Sequence, residues 1–173
     1  MTIIEILEEA LKIEEDDRGF YLSGMNQSRN ILSKETFKKL AEDELVHIQR
    51  IREGCEMINK GEPFSYEYRE GLRKSSREYF ENVFAETKKQ ANEMITAEVK
   101  ELDLIRVAME RESKSHLFYI ERAKEVMEGK KKEFLDFLAT EEYRHYNLLF
   151  NTGDFLTRSS EGGNRENQPP REG

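Results

Sequence analysis

Two short stretches carry the residues whose types and spacing could do chemistry. In one, Glu44 and His47 are three residues apart; in the other, Glu142 and His145 repeat that spacing. Three residues is close to one helical turn, so each carboxylate and imidazole would share a helix face. Their neighbours at helical spacing are apolar: Phe37, Leu40 and Ile51 around the first pair, Leu135, Leu138 and Leu149 around the second. An inward stripe is thus interrupted by groups that can ionise. Two further glutamates, Glu14 and Glu112, interrupt apolar stripes in the same way, and thirty residues separate Glu14 from Glu44 and Glu112 from Glu142.

These coincidences have one source. An offset of 98 residues, the distance from His47 to His145, maps Leu7 to Ile105, Ala10 to Ala108, Phe20 to Phe118, Tyr21 to Tyr119, Leu40 to Leu138 and Ala41 to Ala139 without a gap. The chain reads as two copies of one helical hairpin. Each copy carries a Glu, then Phe-Tyr two turns on, then Glu-x-x-His on its second helix.

The spacing predicts a first helix opened by a Thr2–Glu5 capping box and turning over at Asn26 to Asn30. A second helix runs from about Lys34, capped by Ser33, to Lys60, with Gly61 closing it. A third runs from about Val99 to Glu128, ending at Gly129, and a fourth from about Lys131 to Asn151, with Gly153 bending or ending it and Asp154 to Thr157 adding a turn. Two hairpins related by a two-fold axis across the helices leave the second and third helices parallel. A helix of about 26 residues is roughly 39 Å long, so the chain must travel back along the bundle. The aromatic-rich stretch from Glu62 to about Glu98 can do so, partly as helix. The expected fold is all-α: a ferritin-like antiparallel four-helix bundle of two repeated hairpins with a long, partly helical crossover. It would span residues 1–157, with the polar stretch 158–173 a disordered tail.

Composition agrees and excludes other classes. Charged residues make up 37% of the 173-residue chain, against roughly 25% in ordinary soluble domains, as long solvated helices require. A net charge of −8 without a basic stripe argues against nucleic acid. Lys130, Lys131 and Lys132 open a solvated helix end. No stretch is apolar enough to span a membrane, and no export signal is evident. The single cysteine, Cys55, excludes an intrachain disulfide and a four-cysteine metal domain, reads as a small packed residue, and points to a reducing cytoplasm.

If the four stripes meet at the bundle axis, Glu14, Glu44, His47, Glu112, Glu142 and His145 converge near mid-height. Four buried carboxylates repel one another and lose hydration. Two divalent cations balance their charge, and each imidazole can give one a neutral nitrogen. A Glu from each of two helices with Glu-x-x-His from each of the other two is the ligand set of dinuclear iron and manganese carboxylate bundles. The alternative is a duplicated bundle whose Glu and His are only solvated or hydrogen-bonded. Tyr21 and Tyr119 lie two turns after Glu14 and Glu112 on the same faces, each hydroxyl tilting toward the level of the proposed metals. They are either donors to ligand carboxylates or ordinary core aromatics. His116, whose offset partner is Arg18, is given no role.

The segments EEDDRGFY with EDELVH, and ERESKSHLFY with ATEEYRH, resemble the rubrerythrin branch of the ferritin-like di-iron proteins. The resemblance implies two iron ions per bundle, with Glu14 and Glu112 as terminal ligands, Glu44 and Glu142 as bridges, and His47 and His145 binding one iron each. It implies an oxidoreductase that reduces hydrogen peroxide or dioxygen, acting as a homodimer. Two features depart from the pattern. With one cysteine there is no four-cysteine rubredoxin domain, so electrons would come from a separate donor protein. The position three residues after the third-helix ligand, commonly a further carboxylate, is Ser115, which leaves a symmetric six-ligand site. Other readings of the same ligands are a ferroxidase that binds and sequesters iron, a di-manganese catalase-like protein, an oxygenase, or a structural bundle without redox use.

Overall fold

The computed structural model describes residues 1–65, 76–90, 99–127 and 129–161. Among them are five helices and no strand: α1 Ile3–Gln27, α2 Ile31–Asn59, α3 Ser76–Gln90, α4 Val99–Glu125 and α5 Lys130–Glu161. Helix α1 packs on α2 and α4, and α5 packs on α4 and α2, which closes a four-helix bundle; α3 lies across α2 and α5. Bundle neighbours are antiparallel. The amino terminus of the chain meets Glu125 at the end of α4 at 3.4 Å, and Thr36 near the start of α2 meets Thr152 near the end of α5 at 3.1 Å.

Local signals set most of the helix ends. Thr2 and Glu5 form the expected capping box: Glu5 accepts from the Thr2 backbone N–H at 2.7 Å and Thr2 Oγ1 accepts from the Glu5 N–H at 3.4 Å. Gly61 adopts a φ of 68°, which a side chain would disfavour, and ends α2 as expected. The cap of α2 differs from expectation. Asn30, not Ser33, caps the helix, its side chain accepting from the N–H groups of Leu32 and Ser33 at 2.9 and 3.2 Å. Asn30 is held there because the Arg29 and Asn30 N–H groups donate to Glu101 of α4 at 2.7 and 2.6 Å. The α1–α2 turn is thereby fastened to the other hairpin.

Helix α5 also runs further than expected. It passes through Gly153 without ending and continues to Glu161. The glycine serves packing rather than termination: a Cβ there would lie 3.3 Å from Ile105 Cγ2, so its absence lets α4 and α5 approach closely. The crossover is partly helical, as α3 shows; its residues 66–75 and 91–98, and residues 162–173 of the expected tail, lie outside the described residues.

The apolar core falls into two clusters. One contains Tyr21, Phe37, Leu40, Ile105, Ala108 and Leu149 with Tyr79, Phe80 and Val83 of α3. The other contains Leu7, Ala10, Ile51, Tyr119, Leu135 and Leu138. The 98-residue offset exchanges the two: Tyr21 with Tyr119, Leu40 with Leu138, Ile51 with Leu149. A pseudo-two-fold axis therefore crosses the bundle between the clusters, and the interrupting polar residues lie at that level.

The capping assignment has a direct test. Asn30→Ala removes two hydrogen bonds to orphan N–H groups and should lower stability by about 1 kcal/mol. Ser33→Ala removes a buried hydroxyl that has no partner among the described residues, and should be neutral or slightly stabilising. Chemical denaturation of both variants reads the difference.

Candidate metal centre

Helical periodicity brings Glu14 from α1, Glu44 and His47 from α2, Glu112 from α4, and Glu142 and His145 from α5 into the layer between the two apolar clusters. All six are buried, with Glu14, Glu44, Glu112 and Glu142 fully so. They form two overlapping groups that could hold a metal ion, Glu14–Glu44–His47–Glu142 and Glu44–Glu112–Glu142–His145, each with one potential ligand atom per residue and all within 4.8 Å of one another. Glu44 and Glu142 belong to both groups.

Both imidazoles turn Nδ1 inward. His47 Nδ1 lies 2.9 Å from Glu44, 3.2 Å from Glu14 and 3.4 Å from Glu142. His145 Nδ1 lies 3.0 Å from Glu44 and 3.5 Å from Glu112. The two rings stack with centroids 5.4 Å apart.

The two tyrosines cross over between hairpins. Tyr21 donates to Glu112 Oε1 and Tyr119 donates to Glu14 Oε1. Each therefore serves the equivalent glutamate of the other copy, through the antiparallel α1–α4 pair. Both phenols are held above their ordinary range by burial and then by the facing carboxylates, so both stay protonated donors.

The set remains under-satisfied. Glu44 Oε1, Glu112 Oε2, both oxygens of Glu142 and His145 Nδ1 are buried with no hydrogen-bond partner among the described residues. His145 Nδ1 is near Glu44 but not aligned with it. Buried polar atoms without partners are rare in folded proteins, and here they face one another as lone-pair donors. Atoms of that kind, in a layer of four carboxylates, fit divalent cations.

Electrostatics record the same strain. Burial pushes the Glu44 carboxyl up, to about 8, with the Glu14 charge adding to it. Glu142 is raised well above the usual range by burial and by Glu14, Glu44 and Glu112. Burial opposes a charge on either histidine, but the facing carboxylates outweigh it and raise both. Glu14 goes the other way: burial opposes its charge, yet hydrogen bonds from Glu44, His47 and Tyr119 hold it low.

Beside this layer, Ser115 donates to Asp17 at 3.0 Å, while Arg111 Nε donates to the other Asp17 oxygen at 2.5 Å. Asp17 is the offset partner of Ser115. Burial, partly offset by Arg111, places its carboxyl at about 6. His116 sits apart, its Nδ1 2.7 Å from the Ala139 carbonyl, and Cys55 is a half-buried residue packed beside the second apolar cluster.

Sequence spacing missed two residues. Asp43 Oδ2 accepts from the Tyr79 hydroxyl and lies 3.6 Å from His145 Nε2. Asp43 is visible in the sequence beside Glu44, but only the fold brings Tyr79 of the crossover to it.

A comparison with protein families matches the rubrerythrin family over residues 5–152. A hypothetical protein from Pyrococcus furiosus has a similar solved structure, with 23% identity, a TM-score of 0.65, and alignment over 92% of this chain and 93% of that one. No curated protein matches.

Without bound metal, stability should fall as pH rises. The raised carboxyls and histidines bind protons more tightly folded than unfolded. Their contribution is complete below their ordinary values of 4.5 and 6.5 and fades above them, toward about 8 for Glu44. Glu14, with the opposite shift, contributes stability above 4.5 that is lost only in stronger acid. The melting temperature of metal-free protein should therefore drop between about pH 6 and pH 8, and Glu44→Gln should flatten that slope.

Proposed function

The chain belongs to the rubrerythrin family, and on that footing we propose that it is a non-haem di-iron oxidoreductase that reduces hydrogen peroxide or dioxygen with electrons from a separate donor protein. The observation that carries this reading is the buried layer of four carboxylates and two imidazoles with unpaired oxygens facing one another. Family membership supports reading the metal as iron and the reaction as a reduction of an O–O bond.

In this reading Glu14 and His47 would hold one cation and Glu112 and His145 the other. Glu44 and Glu142 belong to both groups and would be available to either cation. A bound iron pair would supply the electrons that reduce an O–O bond, and the donor protein would replace them. The protein's own part is to hold and to exclude. The two apolar clusters keep bulk water from the layer. Tyr21 and Tyr119 fix one oxygen of Glu112 and of Glu14, leaving each carboxylate its second oxygen.

No helix among the described residues is long and apolar enough to cross a membrane. The proposal places the protein in the reducing cytoplasm, as a homodimer, without nucleic-acid or membrane partners. The oxygen-rich donor set suits manganese as well as iron, and a manganese pair would disproportionate peroxide with no outside donor.

Metal analysis of protein purified without added metal, followed by peroxide turnover on the same sample, tests the proposal. Iron at roughly two ions per chain and peroxide consumption dependent on a reductant are the expected results. Glu44→Ala should reduce consumption to that of free ferrous iron. Equal rates for the variant and the unaltered protein would overturn the proposal. Uptake of many irons by a large hollow oligomer would replace it with iron sequestration.

A further inference from the structure

The sequence duplication predicts two equal halves, but the structure surrounds the two histidines differently. Behind His145, Nε2 lies 3.6 Å from Asp43 Oδ2. The same oxygen accepts from the Tyr79 hydroxyl, and Lys39 pairs with Oδ1. The Tyr79 ring sits between two cations, with Lys39 Nζ 5.5 Å and the Arg144 guanidinium 5.0 Å from its centre. Asp43 is thus fixed by groups from α2 and α3.

The offset positions around His47 hold different chemistry. Lys39 is replaced by Phe137, whose ring meets His47 edge-on at 6.4 Å. Asp43 is replaced by Glu141, which Arg144 Nη1 engages at 2.7 Å through both oxygens. Arg144 itself corresponds to Val46, so the cation beside Asp43 is Lys39, which pairs with Oδ1 and leaves Oδ2 to Tyr79 and His145. Every described carboxylate contact of His47 is to Nδ1. Tyr79 belongs to the crossover, which the repeat does not duplicate.

We propose that Asp43, held in place by Tyr79 of the crossover helix, positions His145 alone and makes the two halves of the duplicated metal site unequal in affinity. The inference rests on the dinuclear reading above. When Nδ1 gives its lone pair to a metal, the remaining proton of His145 sits on Nε2, and Asp43 Oδ2 is the carboxylate oxygen facing it at 3.6 Å. A carboxylate there fixes the tautomer and ring orientation and makes Nδ1 a better donor of its lone pair. Among the described residues no carboxylate faces Nε2 of His47, which has Phe137 beside it. The half containing His145 is therefore the tighter one and fills first. Asp43 and Tyr79 are positioning residues: neither is among the residues that would touch the metal.

Titration of the metal-free full chain with Co(II), followed by calorimetry and visible absorption, tests this. The unaltered protein should bind in two resolved steps. Asp43→Asn should weaken the tighter step by about 10–100-fold and leave the weaker one unchanged. Tyr79→Phe, which keeps the ring and removes only the hydroxyl, should weaken the same step by less, with the same change in the absorption band. Glu141→Gln should alter neither step. Thermal melts of the metal-free variants separate these effects from a loss of fold, and Tyr79→Phe decides the matter should Asp43→Asn not fold. Equal weakening of both steps, or an equal effect of Glu141→Gln, would overturn the assignment while leaving the dinuclear site standing. Absence of Co(II) uptake by the unaltered protein would overturn both.

Discussion

Four carboxylates confined to one dry layer repel one another, and that repulsion has to be met inside the bundle because water cannot reach it. The fold meets it in three ways. Two imidazoles from α2 and α5 face the carboxylates with Nδ1. Two buried tyrosines each donate to one of them. Protons held on Glu44 and Glu142 far above the usual carboxyl range complete the balance when no cation is present. Divalent cations would replace those protons with charge in the same place, which is why the arrangement is coherent as a metal centre and costly as anything else. The two apolar clusters above and below exist in relation to this layer: they supply the burial that makes the charges strong.

The tyrosines show how duplication is turned into one site. Tyr21 serves Glu112 and Tyr119 serves Glu14, so neither hairpin satisfies its own glutamate. The reciprocal pair requires α1 and α4 to be antiparallel neighbours at one register, since a slip by a turn would carry each hydroxyl away from its acceptor. Glu101 acts in the same sense at the bundle end, where it fastens the α1–α2 turn to α4. Polar contacts between the copies thus fix the alignment that apolar packing alone would tolerate in several registers.

The crossover ends the symmetry. A chain that joins two parallel helices must run back along one side of the bundle, and here α3 covers α2 and α5 with Tyr79, Phe80 and Val83. The repeat then diverges where α3 lies: Asp43 and Lys39 stand in one half, Glu141 and Phe137 in the other. Two halves built from the same residue types are set in different surroundings for a topological reason.

The sequence by itself determined a great deal here because its signals are local or repeated. A Thr-x-x-Glu start, a glycine after α2, a 3.6-residue apolar period and a gapless 98-residue offset each depend on neighbours along the chain. Together they led to an all-α bundle of two hairpins and to the convergence of Glu14, Glu44, His47, Glu112, Glu142 and His145. What depended on contacts between distant segments was not legible. Asn30 rather than Ser33 caps α2 because Glu101, some seventy residues on, holds that turn. Gly153 lies inside α5 because Ile105 of α4 needs the space. Which glutamate each tyrosine serves follows from the antiparallel pairing, and the joining of Tyr79 to Asp43 and His145 follows from where the crossover lands. Helical period tells which face a residue occupies; only the packed structure decides what stands opposite that face.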